Sequence, residues 1–317
     1  MASESSMMER KDLIAIPSKG RIGWLKKQKH HSLQLRSNEH PIIVFLNSNE
    51  KYYDEYCDYC NSVGFDVRAM HDSKINFSSK AYDYIIKYAS DNGFERLHII
   101  DDDLQFFELV GRDFSNGSTT RTLSVDSLVY FMSLILCENA PLASVPYQFE
   151  RIGISKLINF TGKTMNCYFI HVETFVKNNW KFYRNEVMDP SCDLDINLKL
   201  LTNGYFTPRL NNFNTGSNTY HPGGCSMTRT IERINNSIDA LKEMYPSFVS
   251  IGEGKDGIHS VKCKFKKAFD EKLFYKRVCM SAEDWAKGMR SFYEAKYAIY
   301  IKELWKNGAR KNKLRAV

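Results

Sequence analysis

Apolar residues enter this chain as short blocks set between amphipathic stretches. Leu13-Ile14-Ala15-Ile16 is one such block, ended by Pro17, and residues 41–46 (PIIVFL) are a second. Both have the length of a buried strand. Residues 52–63 carry helix-like spacing, a third strand is expected near 65–69, and 82–90 reads as an amphipathic helix closed by Asp91-Asn92-Gly93. Leu97-His98-Ile99-Ile100 is the next strand and runs straight into three aspartates. Strands alternating with helices in steps of roughly 20–30 residues predict an α/β layer with a mostly parallel sheet flanked by helices. Ligands on such sheets bind beyond the carboxyl ends of the strands. Two unusual loops, 18–21 and 101–103, fall at such ends.

The second half predicts a helix over 125–138, a glycine-broken stretch over 151–163 and a strand over 165–171. A helix over 195–202 is capped by Asn203-Gly204, and another runs past Thr228 to Tyr245. Glycines 252, 254 and 257 mark a loop. Ser281 opens a last long helix, with an acid at the third helical position as in a capping box. The expected organisation is a disordered leader (1–11), a nucleotide-sugar and acceptor body (12–254) and a basic, mainly helical extension (255–317).

Composition narrows the class. The 317 residues are 43% hydrophobic and 26% charged, and no apolar run approaches the ~20 residues of a membrane span. The polar N-terminus lacks the apolar centre of a secretion signal, and eight scattered cysteines read as reduced thiols, so a cytoplasmic protein is expected. Residues 255–317 hold 17 Lys and Arg against 7 Asp and Glu, whereas the preceding 254 residues hold 27 against 30. A basic segment on a nearly neutral body fits a polyanion partner, and equally a solvated helical face.

Four groups of residues carry candidate chemistry. Asp101-Asp102-Asp103 sets three like charges together at a strand end and calls for a compensating cation. Such oxygen donors suit Mg²⁺ or Mn²⁺, ions that commonly bridge carboxylates to diphosphates. Asp193 and Asp195 precede a helix, where one acid can cap and the other can serve as a general base. His221, in the rigid turn His221-Pro222-Gly223-Gly224, becomes a metal ligand only if carboxylates meet it in space. Lys19, Arg21, Lys74 and Arg151 adjoin loops where a diphosphate would need neutralising. The chain shows no Walker loop and no nucleophile elbow.

Together these residues resemble a GT-A-type glycosyltransferase, a family with a nucleotide-sugar-binding α/β sheet and a "DxD" motif that holds Mn²⁺ or Mg²⁺ on the donor diphosphate. Residues 97–104 (LHIIDDDL) match that motif, and 192–205 (CDLDINLKLLTNGY) are similar to the segment that supplies the catalytic base and acceptor contacts, with Cys192 where glutamate is usual. Residues 14–21 (IAIPSKGR) resemble the opening of one branch, the TET/JBP-associated glycosyltransferases, which are largely phage-encoded and glycosylate hydroxymethylated pyrimidines in DNA.

The resemblance implies a donor site of Pro17, Ser18, Lys19, Arg21, Lys74, Asp101, Asp102 and Arg151, and a metal held by Asp101, Asp103 and His221. It implies Asp193 as base, with Asp193 and Asp195 touching the acceptor. The expected substrates are a UDP-sugar and double-stranded DNA carrying 5-hydroxymethylcytosine or a related base, acted on in the host cytoplasm. In the extension, Lys264, Lys266 and Lys267 would meet DNA, and the interleaved Phe265, Phe269, Phe274 and Tyr275 would pack or stack beside an extruded base. Aromatics from Trp285 to Trp305 recur at helical spacing and read as packing. The alternatives are a glycan or protein acceptor, or a non-catalytic DNA-binding module, to which three adjacent carboxylates would bring nothing.

Overall fold

The computed structural model describes residues 12–27, 37, 39–71, 78–110, 119–147, 157–165, 167–217 and 230–314. Four parallel strands form the heart of the molecule: β1 (Asp12–Pro17), β2 (Ile42–Asn47), β3 (Asp66–Met70) and β4 (Arg96–Ile100), in the spatial order β3-β2-β1-β4. β5 (Leu104–Val110) leaves the acidic turn directly and pairs antiparallel with β6 (Thr119–Thr122). Beyond β4 the main sheet continues with β9 (Cys167–His171), antiparallel to β4, and with β7 (Leu142–Ala143) at the edge, antiparallel to β9 and so parallel to the first four. β8 (Ile158–Asn159) pairs with β10 (Arg209–Leu210), β11 (Phe213–Ser217) joins β5 from its other side, and β12 (Val249–Gly252) forms a hairpin with β13 (Ser260–Cys263).

The helices are α1 (Ile22–Lys27), α2 (Tyr53–Val63), α3 (Ser78–Asp91), α4 (Val125–Ser133), α5 (Val172–Lys177), α6 (Cys192–Thr202), α7 (Ile231–Met244), α8 (Phe265–Ala268), α9 (Glu271–Val278) and α10 (Ala282–Leu314). None among the described residues is long and apolar enough to cross a membrane.

The unbroken apolar strands are explained by burial on both faces. Ile14 and Ile16 of β1, with Ile42, Val44 and Leu46 of β2, face a core shared with Tyr56 and Cys60 of α2 and with the apolar side of α4. Their neighbours Leu13, Ala15, Ile43 and Phe45 face the opposite way, onto Ala81, Tyr82, Ile85 and Ile86 of α3 and onto Cys192, Ile196 and Leu200 of α6. α6 is thereby pinned by its own apolar stripe against the back of the sheet.

Two expectations change, and one takes a more definite form. The helix expected over 125–138 stops at Ser133. α6 begins at Cys192, with Ser191 at its N-cap making no side-chain cap, so neither Asp193 nor Asp195 is a capping residue; both lie inside the first turn. The loop expected at the late glycines is the turn between β12 and β13. There a Cβ on Gly254 would stand 2.0 Å from the Ile258 carbonyl oxygen, so no other residue fits without rebuilding the turn.

The body and the basic extension also meet more closely than the charge boundary at 254/255 suggests, because that boundary falls within this same turn. Phe274 and Tyr293 of the extension are fully buried in the core that contains Phe131, Phe160 and Phe206. Phe269 stacks on Phe206 at 4.4 Å and Trp285 stacks on its ring at 4.9 Å. Phe269 and Phe274 are therefore packing residues, Phe265 packs against α6, and Tyr275, 60% exposed, is left at the surface.

Candidate active site at the carboxyl end of the parallel sheet

The strand order turns back on itself between β1 and β4, the place where an open parallel sheet leaves a crevice at its carboxyl end. The loop after β1 and the turn after β4 both open there. Pro17 pairs in register with Phe45, and the Ser18 N–H still donates to the Phe45 carbonyl at 3.1 Å, so the loop leaves the sheet in a fixed direction. Gly20 takes a left-handed conformation, and its N–H donates to Glu50 Oε2 at 3.2 Å. The Arg21 N–H donates to the Tyr56 hydroxyl at 2.9 Å.

Inside this loop the side chains close on the acidic turn. Ser18 Oγ lies 2.7 Å from the Tyr56 hydroxyl and donates to Asp102 Oδ2 at 2.5 Å. Arg21 Nη1 lies 2.8 Å from Asp102 Oδ1 and 3.5 Å from Asp103 Oδ2. Asp102 is buried, at 5% exposure, whereas Asp101 and Asp103 are partly open. Burial raises the Asp102 carboxyl above its ordinary value, opposed by Arg21 and the Ser18 bond. Burial also works to lower Arg21, but the three carboxylates outweigh it and hold the guanidinium more firmly charged. Of the expected donor-side group, Ser18 and Arg21 thus both contact Asp102, while Lys19 stands exposed.

A second acidic pair sits on α6. Asp195 is buried, with Arg184 Nε and Nη2 at 2.8 and 3.0 Å and the Tyr245 hydroxyl donating at 2.8 Å. Its carboxylate is committed to holding the start of α6 against the 181–184 segment and the end of α7. Asp193, one half-turn earlier, is partly open, and its backbone carbonyl accepts from the Asn197 amide at 2.6 Å.

The two acidic motifs converge. Tyr168 in β9 is fully buried, and its hydroxyl is pushed up by burial and by the surrounding Cys192, Asp193, Asp101 and Cys167. Asp101 and Asp193 thus share one electrostatic neighbourhood. Tyr82 reaches Asp101 Oδ1 at 3.5 Å, and its ring packs on Tyr168 at 5.1 Å. The β12–β13 hairpin and the start of the basic extension cover α6: Leu194, Leu198 and Leu201 of α6 pack with Val249, Val261, Cys263 and Phe265. The Cys263 thiol, pushed up to about 11 by burial, feels both Lys163 and Asp193. Lys262, Lys264, Lys266 and Lys267 are exposed on this hairpin and α8. At the other end of α6, Gly204 has φ +71°, and a Cβ there would stand 2.6 Å from the Phe274 nitrogen, so the Gly-Tyr end of the motif is the seat of α9.

Lys74, Arg151 and His221 lie outside the described residues. Among the described residues no group of three or more His, Cys, Asp or Glu is arranged to hold a metal alone. Asp101 and Asp103 nevertheless fit Mg²⁺ or Mn²⁺, which are commonly bound through one or two carboxylates with substrate phosphates and water filling the remainder.

A sheet reversing beside an acidic turn, with a second acid presented from the helix behind it, defines the class of GT-A glycosyltransferases. The mannosyltransferase PcManGT from Pyrobaculum calidifontis, solved with GDP-Man and Mn²⁺, shares the fold at a TM-score of 0.51 and 11% identity, over 95% of this chain and 79% of that one. TarS 1–349 from S. aureus, solved with UDP-GlcNAc, aligns at a TM-score of 0.47 and 8% identity, over 73% of this chain and 66% of that one. No curated protein matches in sequence. The family model of the TET-Associated Glycosyltransferases matches residues 13–224, a span that contains the β1 loop, the acidic turn and α6. The chain belongs to that family and is a glycosyltransferase.

Proposed function

We propose that the chain moves a sugar from a UDP-sugar onto the hydroxyl of a 5-hydroxymethylpyrimidine, 5-hydroxymethylcytosine first among them, in double-stranded phage DNA. Asp101 and Asp103, with His221, are the residues that would hold Mn²⁺ or Mg²⁺, and Lys19, Lys74 and Arg151 would face the donor diphosphate. When bound, the ion offsets the charge that grows on the departing diphosphate. Asp193 takes the proton of the acceptor hydroxyl as that oxygen forms its bond to the anomeric carbon. The bond from that carbon to the diphosphate oxygen breaks, and UDP leaves with the electron pair.

One observation carries this reading: Tyr82 reaches Asp101 Oδ1 at 3.5 Å and packs on Tyr168, in the same apolar cluster as Cys192, the residue before Asp193. On this reading Asp101 serves the leaving side and Asp193 the attacking side of the reaction. Support for DNA as acceptor comes from the family and from the exposed Lys262, Lys264, Lys266 and Lys267, carried by elements that pack directly on the helix of Asp193. A base has to leave the duplex stack to reach such a cleft.

The test is incubation with a panel of UDP-sugars, Mn²⁺ or Mg²⁺, and duplexes bearing cytosine, 5-hydroxymethylcytosine or 5-hydroxymethyluracil, followed by nucleoside mass spectrometry. A hexose-sized mass gain confined to a hydroxymethylated base is expected, stopped by EDTA and restored by either ion. Transfer to a glycan or protein with DNA untouched would remove the DNA acceptor. Reversing Lys264, Lys266 and Lys267 to glutamate should weaken DNA binding and flatten its salt dependence by about one slope unit per lost phosphate contact.

A further inference from the structure

We infer that Tyr56, Ser18, Asp102 and Arg21 form a positioning clamp that fixes the directions of Asp101 and Asp103, a role that rests on reading those two acids as the metal pair. Three successive carboxylates on one turn repel, and left alone they would spread into solvent. Here the middle one is drawn inward, and the clamp supplies what draws it. Ser18 Oγ takes one carboxylate oxygen at 2.5 Å and Arg21 Nη1 takes the other at 2.8 Å. With Asp102 turned in, the backbone of the turn leaves its two neighbours on the open side. The Leu104 N–H donates to the Asp101 carbonyl at 3.3 Å and closes the turn.

Tyr56 is the remote member. It is fully buried on α2 and far from the acids in sequence, yet its hydroxyl meets Ser18 Oγ at 2.7 Å and accepts the Arg21 N–H at 2.9 Å. Both residues that grip Asp102 are therefore set by one phenol. Arg21 has a second effect. Its Nη1 lies 3.5 Å from Asp103 Oδ2, so an internal cation shares the charge of the triplet before any ion arrives. The turn is in this way organised in advance, and binding need not first overcome carboxylate repulsion.

The experiment measures Mn²⁺ binding to the full chain by loss of the free-ion electron paramagnetic resonance signal, with and without UDP. It is run at a temperature where circular dichroism shows every variant folded. Asp103→Ala, which removes a ligand, should lose measurable binding. Tyr56→Phe and Ser18→Ala should each weaken Mn²⁺ by roughly 10-fold or more, the size typical of residues that orient metal ligands. The double variant should be no weaker than the worse single one, because both act through Asp102. In steady-state transfer, Tyr56→Phe should raise the Mn²⁺ concentration needed for half-maximal rate, with kcat at saturating Mn²⁺ close to that of the parent. If Asp103→Ala loses Mn²⁺ while Tyr56→Phe and Ser18→Ala bind as the parent does, the clamp is overturned and the metal pair stands. If Asp103→Ala itself binds Mn²⁺ normally, the metal pair fails instead.

Discussion

The two acidic motifs solve the same problem with different materials. In each, one aspartate is buried and gripped by an arginine and a hydroxyl, and a neighbour one or two residues away is left partly open. Asp102 has Arg21 and Ser18, and Asp195 has Arg184 and Tyr245. The first clamp is built from the loop after β1 and from α2, elements anchored in the sheet, and its arginine is 15% exposed. The second reaches across from the irregular 181–184 segment and from α7, and its arginine is 39% exposed. A buried acid appears here as the fixed point that aims an open one. The fixed point at the acidic turn is shielded from solvent, and the one on α6 is more accessible.

The largest effects should separate the open acids from the clamped ones. Asp103→Ala should bring sugar transfer below detection with little change in melting temperature. Asp193→Asn should lower kcat by about 10²–10⁴, the usual worth of a general base, while Mn²⁺ and UDP binding persist. A Mn²⁺ defect in Asp193→Asn would instead place that residue on the donor side and break the division between the motifs.

Stability should then rank the two clamps. Arg21→Ala leaves a buried carboxylate with Ser18 as its named partner, a change expected to cost about 3–5 kcal/mol in denaturant melts at neutral pH. Since burial already raises the Asp102 carboxyl, it takes up a proton readily once unpaired, and the loss should shrink as pH falls. Arg184→Ala should cost less, roughly 1.5–3 kcal/mol, because Tyr245 still donates and water reaches the gap. Equal losses would mean that exposure does not distinguish the clamps.

Much of the parallel sheet and its acidic turn was legible in the chain. Short blocks such as the apolar 13–16 and 97–100, broken only by the buried His98, read correctly as strands, because a strand buried on both faces leaves a nearly unbroken run. The charged triplet was visible for the opposite reason, as polarity where burial had just been demanded. What could not be read was which aspartate turns inward: the three are chemically identical, and the choice is made by Tyr56, one tyrosine in a helix that also carries Tyr53 and Tyr59. The surroundings of the α6 acids were less legible still. Arg184 and Tyr245 lie 11 and 50 residues from Asp195 and carry no local signature. The loop at glycines 254 and 257 was legible, but the two strands it joins were not, because each is only four residues long.

The smallest expected effect concerns how the second clamp is hung. Asp83 on α3 accepts the N–H groups of Phe182 at 2.7 Å and Tyr183 at 3.1 Å, the two residues that lead into Arg184. Burial pushes its carboxyl up to about 6, against the pull of those N–H groups and of Lys181 and Lys199. A folded value above the unfolded one means that the folded state holds the proton more tightly. The stability this contributes is full below the unfolded value near 3.9 and is lost as pH rises through about 6. Asp83→Asn keeps an acceptor oxygen and removes the titration. Relative to the parent, the variant should gain on the order of 2 kcal/mol between pH 4 and pH 7 in urea melts, with most of the change in the window from 4 to 6. Kinetics should follow weakly, through Arg184 and Asp195 rather than through Asp103, so at any one pH the parent and the variant should bind Mn²⁺ equally well. A stability difference that stays flat with pH would mean that the 181–184 segment hangs on hydrogen bonds indifferent to the charge of Asp83, and the two clamps would then differ in exposure alone.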